Sequence, residues 1–201
     1  MDIQGFIDGT QKDIEVNSDG HLLVDLHGAE YQSLTVNKSM FSVSNQTGIT
    51  TQAGLSATTP ALTLYNPFGS GKNGVLIYAG CVNSVAFAAA SVIWLGLNTN
   101  LTAAAVTGTL STAVRNTLMG STAPTIQALL AATLPAAPIA GPILGVGVTG
   151  AITTVPQVQP LGRWFDGSII IQPGSAVSFQ TSTASGASGF FGEFVWAEVD
   201  V

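Results

Sequence analysis

His21, Asp25 and His27 come closest in this chain to a metal-binding set. Two imidazoles and a carboxylate are ordinary zinc ligands, and in an extended strand all three share one face, because side chains alternate with a period of two. Three copies meeting on an axis would multiply the ligands. Exposed His and Asp are equally ordinary on the solvent side of a strand, and the set is read as surface. Asn17-Ser18-Asp19-Gly20 has the opening of a calcium loop but lacks its later ligands, and reads as a turn.

Four carboxylates lie outside the first 30 residues: Asp166, Glu193, Glu198 and Asp200. Glu193 and Glu198 have opposite parity on one strand and point to opposite faces, which is unsuited to the paired acids of a glycosidase. No G-x-S-x-G elbow is present. These acids are expected to be edge charges that keep strands from pairing wrongly.

Two glycine runs imitate nucleotide motifs. Gly145-Val146-Gly147-Val148-Thr149-Gly150 fits the dinucleotide fingerprint by letter, but Pro142 and Pro156 leave no room for the strand and helix that the chemistry needs, so a loop or bulge is expected. In Gly69-Ser70-Gly71-Lys72, Asn66 stands where a phosphate loop begins with Gly, and Asn73 replaces its Ser or Thr. A turn is expected there. Trp94, Trp164 and Trp196 could stack on sugars, yet they are far apart in sequence and are assigned to core packing. No catalytic, cofactor-binding or metal-binding residue is assigned, and the chain is not read as an enzyme.

The charge pattern supports that reading. No acidic residue occurs between Glu30 and Asp166, and the cations there are Lys38, Lys72, Arg115 and Arg163. General acids, general bases and hard-metal ligands are mostly carboxylates, and most of the chain offers none. Charged residues are 8% and apolar ones 46% of 201 residues. A monomer normally keeps a charged, patch-free surface, so burial against another protein, foremost a second copy, is expected. Seven of the eleven acids fall in the first 30 residues against Lys12 alone, a sign that repels nucleic acid. The single Cys81 lies in an apolar run and reads as a small core hydrophobe. The first residues lack the basic start and apolar core of a secretory signal. Val75 to Leu97 and Ile126 to Ile152 are long and apolar, but polar residues and prolines interrupt them, and no membrane contact is expected.

The elements follow from periodicity and turn residues. Residues 1–59 are read as an acidic arm with a hairpin (Ile14 to Val16, turn, His21 to Leu26) and an extended connection. Residues 60–201 are read as the main domain. Its strands are expected at Ala61 to Tyr65, Val75 to Val82, Ser91 to Leu97, Ser168 to Ile171, Ser175 to Thr181 and Phe190 to Val201. Ile126 to Ala131 is the best helix candidate, introduced by Pro124-Thr125. Leu134 to Pro160 is a Pro/Ala-rich insertion of loops with one or two strands. Many short strands and little helix indicate an all-β sandwich or barrel.

The run Leu64 to Ile77, with Phe165-Asp166-Gly167-Ser168-Ile169-Ile170-Ile171-Gln172-Pro173-Gly174-Ser175-Ala176-Val177 and the closing Phe194-Val195-Trp196-Ala197-Glu198-Val199, resembles small virion proteins of tailed bacteriophages. Within that group the chain is most similar to capsid decoration, or cement, proteins. The resemblance implies a jelly-roll-like β-sandwich, usually a homotrimer, on the outer capsid surface where major-capsid-protein subunits meet. It brings no catalytic residues or cofactors. On it, residues 124–160 are expected in the trimer contact and residues 1–30 in shell attachment. The alternatives are a tail-fibre or receptor-binding virion protein, and a carbohydrate-active enzyme on a β scaffold.

Overall fold

Phe190, Phe194 and Trp196 are fully buried while Phe191, Glu193 and Val195 between them are not. That alternation makes the carboxyl-terminal run a strand with one core-facing side. In the computed structural model, which describes residues 3–7, 10–14, 31–85, 87, 89–99, 106–120, 122–147 and 161–201, this strand runs through the middle of an antiparallel sheet. The chain divides into two compact units, residues 1–33 and 34–201.

In the first unit, β1 (Ile3–Ile7) and β2 (Thr10–Ile14) pair antiparallel. The hairpin expected from Ile14 to Leu26, including His21 and Asp25, and the neighbouring His27 lie outside the described residues apart from Ile14, which closes β2.

The second unit begins earlier than the expected boundary at 60. A short helix, α1 (Gln32–Val36), is closed by Lys38 at φ 61° and leads into β3 (Met40–Ser44). There follow β4 (Thr63–Asn66), β5 (Lys72–Asn83), β6 (Ser91–Asn98), β7 (Thr107–Leu110), β8 (Arg115–Asn116) and β9 (Gln127–Thr133). Then come β10 (Ile139–Gly147), β11 (Leu161–Ile171), β12 (Ser175–Thr181) and β13 (Phe190–Asp200). The stretch before residue 60 is therefore not simply a connection to the sandwich, because β3 pairs along β13 inside it.

The pairing is nested: β3 with β13, β4 with β12, β5 with β11 and β6 with β10, all antiparallel. These eight strands form one long hairpin, rolled so that successive pairs fall in alternate sheets. One sheet has the order β11-β5-β13-β3-β8 and the other β10-β6-β12-β4-β9-β7. The eight nested strands form a jelly-roll sandwich. Phe41, Leu76, Phe165, Phe194 and Trp196 from the first sheet share a core with Leu64, Ile93, Leu95, Val177 and Phe179 from the second.

Strands β7 to β9 are inserted between β6 and β10 and close one side of the sandwich. β9 pairs with β4, β7 with β9, and β8 with β3. The expected helix at Ile126 to Ala131 is thus mostly strand. Ala128 faces the main core and Leu129 a second cluster with Tyr65, Val106, Ala132, Leu134 and Ala176. Burial on both faces favours extended backbone, whereas a helix of six residues is too short to hold itself.

Glu198 holds this insertion in place. It is buried, and its Oε2 and Oε1 accept the backbone N–H groups of Thr125 at 3.0 Å and Ile126 at 2.8 Å. The expectation that Glu198 is an edge charge is corrected, because β13 is an inner strand and the carboxylate satisfies two amides at the start of β9. Asn66 makes a comparable link, its Nδ2 donating to the carbonyls of Lys72 and Ile171 in the opposite sheet. This explains Asn rather than Gly ahead of the Gly69-Ser70-Gly71 turn, where both glycines have positive φ.

Replacing Glu198 by Ala leaves two amides without their acceptor. The expected cost is about 1–3 kcal/mol, read as a lower urea midpoint, with loss of amide-exchange protection concentrated at residues 125–133. Unchanged protection there would show that the insertion is held by strand pairing alone.

Candidate functional site

The outer faces of the two sheets differ. On the six-stranded sheet, Gln180 accepts from the Ser56 N–H and donates to the Ser56 carbonyl, so residues near 56 cross its outer side. The second apolar cluster covers Tyr65 and Ala176 on the same side. The outer face of the five-stranded sheet carries no comparable cover among the described residues.

Strand register arranges that open face in rows. Trp164, Tyr78, Val195 and Ser42 lie side by side on β11, β5, β13 and β3. Two residues further along, Gly162, Gly80, Glu193 and Ser44 form the next row. Val82 and Phe191 make a third. Small residues between two rows of larger ones produce a trough that crosses the strands. Its cavity, about 270 Å³, is lined mainly by Ser44, Tyr78, Gly80, Val82, Phe191 and Glu193.

The glycines are there for Tyr78. A Cβ on Gly80 would stand 2.5 Å from the phenol oxygen, and one on Gly162 2.0 Å from it. Tyr78 therefore lies along the sheet with its hydroxyl over this cross-strand glycine pair, and any larger residue would force it upright. Trp164 leans against it, with ring centroids 5.0 Å apart and planes inclined by 52°. Burial and the neighbouring Glu193 carboxylate push the Tyr78 phenol above its ordinary range.

The tryptophans divide. Trp196 is core, stacked on Phe41 with centroids 5.7 Å apart. Trp94 is half-buried on the outer side of β6, opposite Ile143. Trp164 is 60% exposed, so its assignment to core packing is corrected. The signal for it lay in β11 itself, an edge strand in which Gly162-Arg163-Trp164 breaks the apolar alternation.

The other acids do not converge on the trough. Glu198 is on the inner side of β13 with its amides, and Asp200 pairs with Lys72 at 2.5 Å. Asp166 sits at φ 47° in the irregularity of β11 between Trp164 and Ile169. Glu193 is the one described carboxylate in the trough. Among the described residues no group of three or more His, Cys, Asp or Glu could hold a metal ion. Gly145 and Gly147 belong to β10, beside a register irregularity between Ile143 and Gly145, and residues 148–150 lie outside the described part. No described helix is long and apolar enough to cross a membrane. Val75 to Leu97 instead contributes most of β5 and β6.

No protein-family model matches this chain, and no curated protein or solved structure shows significant similarity to it.

Beneath the trough, burial pushes the Cys81 thiol from an ordinary 9.0 up to about 12. A raised folded-state value means that the folded protein keeps the proton where the unfolded chain loses it. The associated stability is complete below pH 9 and is lost as pH rises toward 12. At pH 8 a thiol reagent should leave the native protein unmodified and label one equivalent after unfolding in urea. Rapid labelling of the native protein would refute the burial argument.

Proposed function

We propose that this chain is a structural virion protein of a tailed bacteriophage, a trimeric decoration (cement) protein bound to the major capsid protein on the outer capsid surface. The supporting observation is the unequal treatment of the sandwich's two sides. On the side closed by the insertion, the outermost strands are β7 and β8, of 4 and 2 residues. On the other side they are β10 and β11, of 9 and 11 residues. Long edges invite pairing with another chain, whereas short ones discourage it.

β10 also presents Ile139, Ile143 and Val146, which are 71%, 61% and 53% exposed, and Ile170 on β11 is 55% exposed. A shared interface would remove these side chains from water and supply an association energy that weak surface charge does not oppose. Repeated copies on a shell would then multiply individually weak contacts by avidity. The acidic amino-terminal region supplies the segment for shell attachment.

A second reading, a receptor-binding protein of the phage tail, draws on the exposed Trp164 and the trough beside it. Labelled antibody on intact virions distinguishes the two, with the head expected to be marked; tail labelling would favour the second. In sedimentation at micromolar concentration the full chain should behave as a trimer, and a stable monomer would count decisively against that assembly. Ile143→Lys should weaken self-association about tenfold or more, equivalent to ~1.4 kcal/mol, with an unchanged circular-dichroism spectrum. Full assembly of that variant would remove β10 from the interface.

A further inference from the structure

We infer that the trough on the five-stranded sheet binds a carbohydrate, with Tyr78 and Trp164 as the stacking surface and Glu193 as the principal hydrogen-bond acceptor. The site is separate from β10, shares only β11 with the proposed self-association edge, and does not depend on whether the protein sits on the head or the tail.

The chemistry of the walls selects the ligand class. A sugar ring has two apolar faces of C–H groups and a perimeter of hydroxyls. It needs a flat aromatic surface beneath or beside it and an acceptor at its rim. Tyr78 is held flat by the Gly80–Gly162 pair, and Trp164 is inclined to it just beyond the residues that line the cavity. Phe191 and Val82 form the opposite wall, and Glu193 and Ser44 stand in the small-residue row between them. An ionised carboxylate accepts from two adjacent hydroxyls at once, and charge-assisted bonds of that kind are the stronger ones.

A cationic ligand would also meet aromatic rings and a carboxylate. The trough has a single carboxylate, however, and Glu193 shares its row with Ser44, whose hydroxyl donates as well as accepts. That mixed set suits the hydroxyl rim of a neutral polyol, which both donates and accepts, better than a cation, which offers no acceptor. The cavity of about 270 Å³ lies just below the range of sites that enclose drug-sized molecules, as suits one or two sugar rings on an open face. The glycine pair would otherwise be a poor choice in two adjacent strands, since Gly weakens a strand interior.

The three indoles can be observed separately by fluorine NMR of the full-length chain carrying 5-fluorotryptophan, with Trp164→Phe identifying the Trp164 resonance. The probes are methyl glycosides of glucose, galactose, mannose and N-acetylglucosamine and their short oligomers. At least one should shift the Trp164 resonance saturably, with a dissociation constant on the order of 1 mM or tighter, while the Trp196 resonance stays in place. Glu193→Gln should weaken that binding about tenfold or more, as expected for hydrogen bonds to a charged group. Tyr78→Ala should abolish it with the Trp196 resonance unmoved, which reports an intact core.

Failure of every sugar to move the Trp164 resonance at millimolar concentration overturns the inference. So does a sugar-induced shift that is indifferent to both variants. A saturable shift with tetramethylammonium and none with sugars would replace it by a cation site. None of these outcomes bears on self-association, which the sedimentation experiment reads independently.

Discussion

The contact between Phe179 and Phe194 joins the two sheets at their middle: β12 and β13 are inner strands, and the rings stack with centroids 4.5 Å apart. Phe190 meets the same Phe179 edge-on at 5.6 Å. Aromatic side chains carry the largest apolar areas available to a core, and here they are supplied by the two strands nearest the carboxyl end. Their burial settles which residues of β13 face inward. A slip of one residue would exchange Phe194 and Trp196 for Glu193 and Val195, placing a carboxylate in the core and two aromatic side chains in water.

The outer face is determined by the same constraint. Glu193 and Val195 stand on the open side because Phe194 and Trp196 stand on the closed one. Antiparallel pairing then sets Tyr78 and Gly80 of β5, Trp164 and Gly162 of β11, and Ser42 and Ser44 of β3 beside them. The trough is thus the reverse side of the core. Glu198 follows the inward parity and reaches the insertion, so one strand holds together core, trough and closed side.

Much of this was legible from local chemistry. Strict alternation in Ser175 to Thr181 and turn residues in Gln172-Pro173-Gly174 located β12, and the Gly69-Ser70-Gly71 turn separated β4 from β5. Those signals depend on near neighbours along the chain. Ile126 to Ala131 misled because six mostly apolar residues fit a buried strand or a helix equally well; only the free edge of β4 and cover on both faces decide between them. β3 was partly hidden by its polar neighbours. The trough was not legible, since its six principal residues come from three strands and their adjacency exists only in the register.

Sequence alone determined the class of structure: short alternating strands with glycine and proline turns, an interior rich in aromatics, and a long stretch without carboxylates. These follow from side-chain type and spacing, which operate over a few residues. The tertiary structure decided how the acids that do exist are used. Glu193 and Glu198 lie five residues apart on one strand, yet one faces an open aromatic trough and the other is buried against the Thr125 and Ile126 amides. Parity separates the two side chains, but the packing of the second sheet and the insertion against β13 determines which of them meets water.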